Sequence, residues 1–205
     1  MAITLRVVVP PHPLIAHWLT VLRGSNTPNA LYSTAFEELG KWLTYEALRD
    51  WLPYKSEEIE TQTSKTIGKI IESSVSLIAI PIDGAGFELW HGARNVLPNA
   101  HLSIGGIPSQ IEQNTGLIIF IGQISDGENL LEILDSLKEK KIEQKKIRVV
   151  SALTCSEGLT KLGAAHKDLS IYCACIDQRL VSKDLIDPGI GNPSLRLNTR
   201  INVND

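Results

Sequence analysis

The chain has no uninterrupted apolar run of about eighteen residues, so nothing in it reads as a membrane-crossing helix. Its three cysteines, Cys155, Cys173 and Cys175, are an odd and sparse set. They read as small buried hydrophobes of a cytoplasmic or equivalent reducing compartment. A metal site would need further ligands at recognised spacings, and none is visible. Charge of one sign is also missing. Lysine and arginine number 20 against 23 acidic residues, and a net charge of -3 gives no general attraction to nucleic acid or to an anionic membrane. No internal repeat, low-complexity segment or long linker divides the chain. The first ten residues, Met1 to Pro10, alternate like a strand and lack the layout of a secretory signal, although prior removal of a targeting segment stays open.

What is present suits one α/β domain covering residues 1–205, with 43% hydrophobic and 21% charged residues. Apolar residues at 14, 15, 18, 19 and 22 follow a helical period, with Pro13 in the first turn and Gly24 as a stop. A second helix is expected from Pro28 to about Arg49, with Leu31, Ala35, Leu39, Trp42, Leu43 and Ala47 as its buried stripe. Residues 12–50 thus form an N-terminal α-hairpin. Strands are expected at Val75–Ile82, His101–Gly105, Leu117–Ile121, Ile147–Leu153 and Ile171–Ile176. The last of these would place Cys173 and Cys175 on one face. Helices are expected from Asp83 to Leu97-Pro98, from Glu128 to Lys141, and from a Thr154–Glu157 capping box to Ala165. This alternation predicts a mostly parallel, doubly wound sheet flanked by helices.

Several separated motifs in register resemble uracil phosphoribosyltransferase. They are His12-Pro13-Leu14-Ile15-Ala16-His17 with Leu19 to Arg23, Tyr45 to Asp50, Ile80-Pro81-Ile82 with Gly84-Ala85-Gly86, Ser156 to Leu159, Ala165-His166, Ile171-Tyr172, Ile176-Asp177 and Pro188 to Gly191. The likeness covers nearly the whole chain in order. It implies a type I phosphoribosyltransferase core and commonly a homodimer. The family reaction belongs to pyrimidine salvage: it joins uracil to phosphoribosyl pyrophosphate, with magnesium, to give UMP and pyrophosphate.

The elements that hold the phosphoribosyl donor in that family are altered here. Its signature loop Asp-Pro-Met-Leu-Ala-Thr-Gly-Gly-Ser corresponds to Ile121-Gly122-Gln123-Ile124-Ser125-Asp126-Gly127-Glu128-Asn129, which keeps one glycine, Gly127. Ile121 stands for the leading acid, Asp126 for the small hydroxyl residue and Glu128 for the second glycine. Two unit charges about 5 Å apart at an effective dielectric of about 20 repel by roughly 3 kcal/mol, so an anion at this helix entrance would be opposed by both carboxylates. Gly84 replaces the pyrophosphate-contacting arginine, and Asp83 adds a negative charge. Residues 106–116 are far shorter than the loop that closes over the family's site, with Pro108 near its arginine. The terminal Gly-Asp-x-Gly-Asp-Arg is Gly191-Asn192-Pro193-Ser194-Leu195-Arg196, leaving Arg196 as a residual phosphate contact.

The resemblance also implies that uracil is read by backbone groups of residues 185–191, where Ile186, Pro188, Gly189, Ile190 and Gly191 are candidate base-binding positions. Uracil or UMP binding therefore stays open, beside the reading of a surface loop fixed by proline and glycine. Asp83, Asp126 and Glu128 could form an acidic cleft for a cation, or Asp126 and Glu128 could cap their own helix, with Ser125 and Glu128 as a capping box. His12, His17, His91, His101 and His166 read as scaffold or surface residues. The run Lys138, Lys140, Lys141, Lys145 and Lys146 reads as a solvated helix end rather than a nucleic-acid patch. Trp18, Trp42, Trp51 and Trp90 fit either a core or a partner surface.

Three functions compete. The first is a non-catalytic homologue, a pseudoenzyme serving as an interaction or structural subunit, a homodimer or part of a larger complex, needing no cofactor. The second is a working uracil phosphoribosyltransferase using magnesium and phosphoribosyl pyrophosphate, with Arg94, Arg196 or Arg200 compensating at the donor site. The third is a uracil or UMP sensor without chemistry.

Overall fold

Gly116–Ile124 and Ile147–Cys155 are apolar along nearly their whole length and so must be covered on both faces. A computed structural model, which describes residues 5–72, 74–97 and 99–198, places both in the middle of one sheet. In chain order the elements are β1 (Arg6–Val8), α1 (Pro13–Arg23), α2 (Asn29–Leu48), β2 (Tyr54–Glu60), β3 (Lys65–Ile71), β4 (Leu77–Pro81), α3 (Gly84–Ala93), β5 (Ala100–Leu102), β6 (Gly116–Ile124), α4 (Glu128–Glu139), β7 (Ile147–Cys155), α5 (Ser156–Ala165), β8 (Ser170–Cys173), β9 (Ile176–Asp177), β10 (Arg179–Ser182), β11 (Leu185–Asp187) and α6 (Pro193–Leu197).

The main sheet runs β1-β8-β7-β6-β4-β5, with β9 beside the end of β7, and every pairing in it is parallel. The period of two divides its side chains. Ala79, Ile118, Phe120, Val150, Ala152 and Tyr172 face the core formed with α1, α2 and α3. Ile80, Ile119, Ile121, Val149 and Ile171 face the core formed with α4 and α5. This is the expected type I phosphoribosyltransferase-like architecture. After β4 the chain goes outward to β5, then returns to the other side of β4 as β6. The crevice beyond the carboxyl ends of β4 and β6 is therefore a topological switch point.

Helix α1 starts where His12 Nδ1 accepts from the Leu14 N–H at 3.2 Å, with Pro13 in the first turn. Ile15, Leu19 and Leu22 are its buried stripe; Leu14 is exposed. On α2 the buried line is Tyr32, Ala35, Phe36, Leu39, Leu43 and Ala47. Leu31 is exposed, because it lies one residue, or about 100° of helix rotation, off that line. Helices α2 and α3 touch at backbone level. A Cβ at Gly40 would collide with the Leu89 carbonyl, and one at Gly92 with the Glu37 carbonyl.

The hairpin β2–β3 is absent from the sequence expectations. Nearly every residue in it is exposed, so it carries no one-faced alternation to read. The expected strand Ile171–Ile176 is broken. β8 stops at Cys173, irregular pairing carries Ala174 and Cys175 past β7, and β9 starts at Ile176. Cys173 and Cys175 therefore share no regular strand face. Cys173 is buried, which pushes its thiol up to about 12, while half-buried Cys175 meets Asp177 at 3.6 Å. The capping box at Thr154–Glu157 does not form, because the Thr154 hydroxyl turns back to the Cys175 carbonyl. Leu97 is buried at the end of the α3 region; Pro98 lies outside the described residues. All four tryptophans are half-buried, and all pack against the first core.

Replacing Gly92 by alanine should lower stability by about 2 kcal/mol, because the added methyl must separate α2 from α3. Chemical denaturation of the two proteins measures the difference; an unchanged midpoint would refute the backbone contact.

Candidate functional site

The switch-point crevice encloses a cavity of about 240 Å³ lined by Asp83, Ile121, Gln123, Ser125, Asn129, Asp184, Asn192, Pro193 and Ser194. Asp83 lies there because it caps α3. Its carboxylate accepts from the Gly86 N–H and, across from β4 to β6, from the Gly122 N–H at 3.2 Å. Burial pushes its pKa up, against the pull of these N–H donors. Gly122 remains within β6, so the strand continues beyond the expected turn.

The candidate donor loop is engaged with itself. Asp126 accepts from the Glu128 N–H at 3.0 Å. Gly127, at φ 80°, occupies the N-cap position of α4, and no side chain caps there. Glu128 pairs with Lys161 at 3.3 Å and Lys183 at 3.2 Å. These pairs hold its exposed carboxylate below the usual range. Asp126 reaches the first N–H of α4 from the residue before the N-cap rather than as the N-cap itself, and the Ser125–Glu128 box is not formed. Nor do Asp83, Asp126 and Glu128 converge as a cation cleft, since each has its own partners. Ser125 and Asn129 line the cavity, and Ile121 forms an apolar part of its wall.

Residues 185–191, none of which lines the cavity, are clamped by side chains of other elements. Arg23, at the end of α1, meets both oxygens of Asp177 at 2.7 and 2.8 Å and donates to the Gly189 carbonyl at 2.8 Å. Asp177 also accepts from the Gly189 N–H at 3.0 Å. Burial pushes the Asp177 carboxyl up, but the Arg23 and Gly189 donors outweigh it and hold the pKa below the usual value. The Tyr32 hydroxyl donates to the Ile190 carbonyl at 2.9 Å, and Ile186 and Ile190 are buried. Gly189 and Gly191 take φ 60° and 75°, and the Asp187–Pro188 peptide is cis. The candidate base segment is thus a built loop with fixed backbone.

Arg196, expected as a residual phosphate contact, sits elsewhere. Its guanidinium donates to the carbonyls of Leu22, Ile190 and Gly24 at 2.7, 3.0 and 2.7 Å and lies over the Tyr32 ring. It secures the base segment instead of facing the cavity. Arg94 is exposed at the far end of α3, about 15 Å of helix from Asp83. Arg200 lies outside the described residues. Asn192 caps α6 by accepting from the Leu195 N–H at 3.1 Å. In the short segment 106–116, Ile107 and Ile111 pack on the second core, and none of its residues lines the cavity. Among the described residues, no lysine or arginine lines it.

Sequence reasoning gave no roles to Gln123, Asp184, Arg23 or Tyr32. The Gln123 amide N–H donates to the Asp184 carbonyl at 2.8 Å, and its Oε1 is buried without a partner among the described residues. Nor did it join His91 to Glu37 and Glu88, which α2 and α3 bring together with donor atoms within 4.8 Å of one another; His91 Nδ1 lies 3.0 Å from Glu37. His166 is enclosed, with Gln144 at 2.6 Å, and burial pushes its pKa down.

A family model described as uracil phosphoribosyltransferase matches residues 9–198. The uracil phosphoribosyltransferase of Synechocystis sp. is 38% identical over 94% of this chain and 96% of its own length. That of Synechococcus elongatus is 36% identical over 96% of this chain and 98% of its own. Among solved structures, the AQ2163 protein from Aquifex aeolicus superposes with a TM-score of 0.80 at 26% identity, covering 94% of this chain and 97% of that one. The chain belongs to the uracil phosphoribosyltransferase family.

Asn in place of Asp177 should cost about 3 kcal/mol near neutral pH, because Arg23 loses its charged partner. The folded carboxyl has a lowered pKa, so this stability is present above the ordinary carboxylate value and lost as pH falls through the folded one. Denaturation of both proteins at several pH values should show the gap closing in acid. A gap independent of pH would refute the assignment.

Proposed function

We propose that this member of the family is a non-catalytic homologue that keeps the base-binding segment and serves as an interaction or structural subunit. The carrying observation is the cavity lining: two carboxylates and no cation among the described residues. Phosphoribosyl pyrophosphate is a polyanion, and each carboxylate opposes it, part-buried Asp83 more strongly than exposed Asp184. The carboxylate of Asp83 is bonded to two backbone N–H groups, that of Asp126 to a third, and Arg196 to three carbonyls. Such a set does not fit magnesium with phosphoribosyl pyrophosphate. The clamped backbone of residues 185–191 supports retained uracil or UMP binding.

A second reading, a divergent uracil phosphoribosyltransferase making UMP, is favoured by the relatives. Proteins aligned over nearly their whole length carry that name. Titration of the protein with magnesium and phosphoribosyl pyrophosphate, with and without uracil, separates the two. The expected result is no donor binding and no UMP. Donor binding with UMP formation would establish the enzyme and end the non-catalytic reading.

Self-association belongs to the same proposal. The β2–β3 hairpin exposes Tyr54, Ile59, Ile67, Ile70 and Ile71, with Ile67 77% exposed. An isolated two-stranded ribbon is marginal in water. Its apolar residues suit cover by a second copy of the chain. Light scattering should show a dimer that Ile67→Lys shifts to monomer by about tenfold or more in dissociation constant. A monomer at all concentrations would refute this part.

A further inference from the structure

We infer that Glu37, Glu88 and His91 form a binding site for one divalent metal ion, with zinc as the fitting ion, where α2 packs on α3. None of the three lines the switch-point cavity, so this site is separate from the one described above. Each residue offers one ligand atom, and the three atoms lie within 4.8 Å of one another. An ion bonded to each at about 2.1 Å in tetrahedral geometry holds its ligand atoms about 3.4 Å apart. His91 Nδ1 and Glu37 Oε1 are already 3.0 Å apart, so small side-chain rotations close the set.

The helices fix this spacing. Glu88 and His91 are three residues apart on α3 and so share one side of it. Glu37 comes from α2, and the two helices meet at backbone level beside the ligands. Gly92, next to His91, abuts the Glu37 carbonyl, and Gly40 abuts the carbonyl of Leu89, next to Glu88. Ser33, one turn before Glu37 on α2, donates to Glu88 Oε2 at 2.8 Å, an outer bond of the kind that orients a carboxylate ligand. Charge also points to a cation. Two carboxylates converge here, and among the described residues neither forms an ion pair with a lysine or arginine. Glu128, by contrast, has two lysines. A divalent ion balances both carboxylates. The imidazole selects against magnesium and calcium, which favour all-oxygen sets, and suits zinc, with a fourth position left to water. All three side chains are half-buried, so an ion can enter from solvent.

The test is calorimetric titration of the full chain, stripped of metal with a chelator, with zinc chloride and separately with magnesium chloride. One zinc ion per chain is expected at micromolar affinity or tighter, with magnesium weaker by about a hundredfold or more. His91→Ala and Glu37→Gln should each weaken zinc by about tenfold or more. Circular dichroism of both variants in chelator, expected to match the parent, separates a lost ligand from a lost fold. Cobalt(II) reports on the unaltered chain: the visible bands of a four- or five-coordinate ion are expected. No heat with zinc at submillimolar concentration overturns the inference. So does magnesium binding as tightly as zinc, which would make the cluster a plain acidic patch. Zinc affinity unchanged in either folded variant overturns it as well, as does a cobalt spectrum equal to that of the aqueous ion.

Discussion

The pairing of Arg23 with Asp177 joins parts of the chain that are 154 residues apart in sequence, and the geometry of the candidate site hangs on it. Arg23 ends α1, on the first face of the sheet; Asp177 ends β9, the short strand beside β7. By bonding the Gly189 carbonyl and N–H respectively, the two place the base segment against the α-hairpin. Burying a charge is costly unless it is paired and bonded. Here both carboxylate oxygens have donors, so the pair is stable and holds the loop in one register. Arg196 and Tyr32 complete the arrangement from the α6 and α2 sides.

This clamp separates two fates within one crevice. The base side is held by side chains bonded to its backbone groups, the Gly189 N–H and carbonyl and the Ile190 carbonyl. On the donor side, backbone N–H groups that could face an anion have protein carboxylates as partners: Gly86 and Gly122 with Asp83, and Glu128 with Asp126. The protein supplies its own anions there. The result is a satisfied, stable loop with little left to offer a phosphate.

The strongly patterned parts of the fold were legible before any coordinates. β6 and β7 read as buried strands because both faces are apolar, and α4 reads as a helix from its one apolar stripe of Leu130, Leu134 and Leu137. The β2–β3 hairpin was not, because a ribbon exposed on both faces has no contrast between them. Arg196 shows the limit at the site. Its position in a motif suggested phosphate, but which acceptors surround a guanidinium depends on how α6 packs beside α1 and α2. The cluster of Glu37, Glu88 and His91 was hidden for the same reason, since Glu37 lies on a different helix from the other two.

The sequence by itself determined the parallel α/β class, the family and the chemical change in the donor loop. These follow from local periodicity and from residue identity at aligned positions, which need no knowledge of distant contacts. Tertiary structure alone decided which charges face the crevice. It bound Glu128 to Lys161 and Lys183, gave Arg196 to three carbonyls and left Asp184 and Gln123 at the cavity wall. A side chain's charge is written in the sequence, but its effect depends on distance and burial, and those arise only when separate elements pack together.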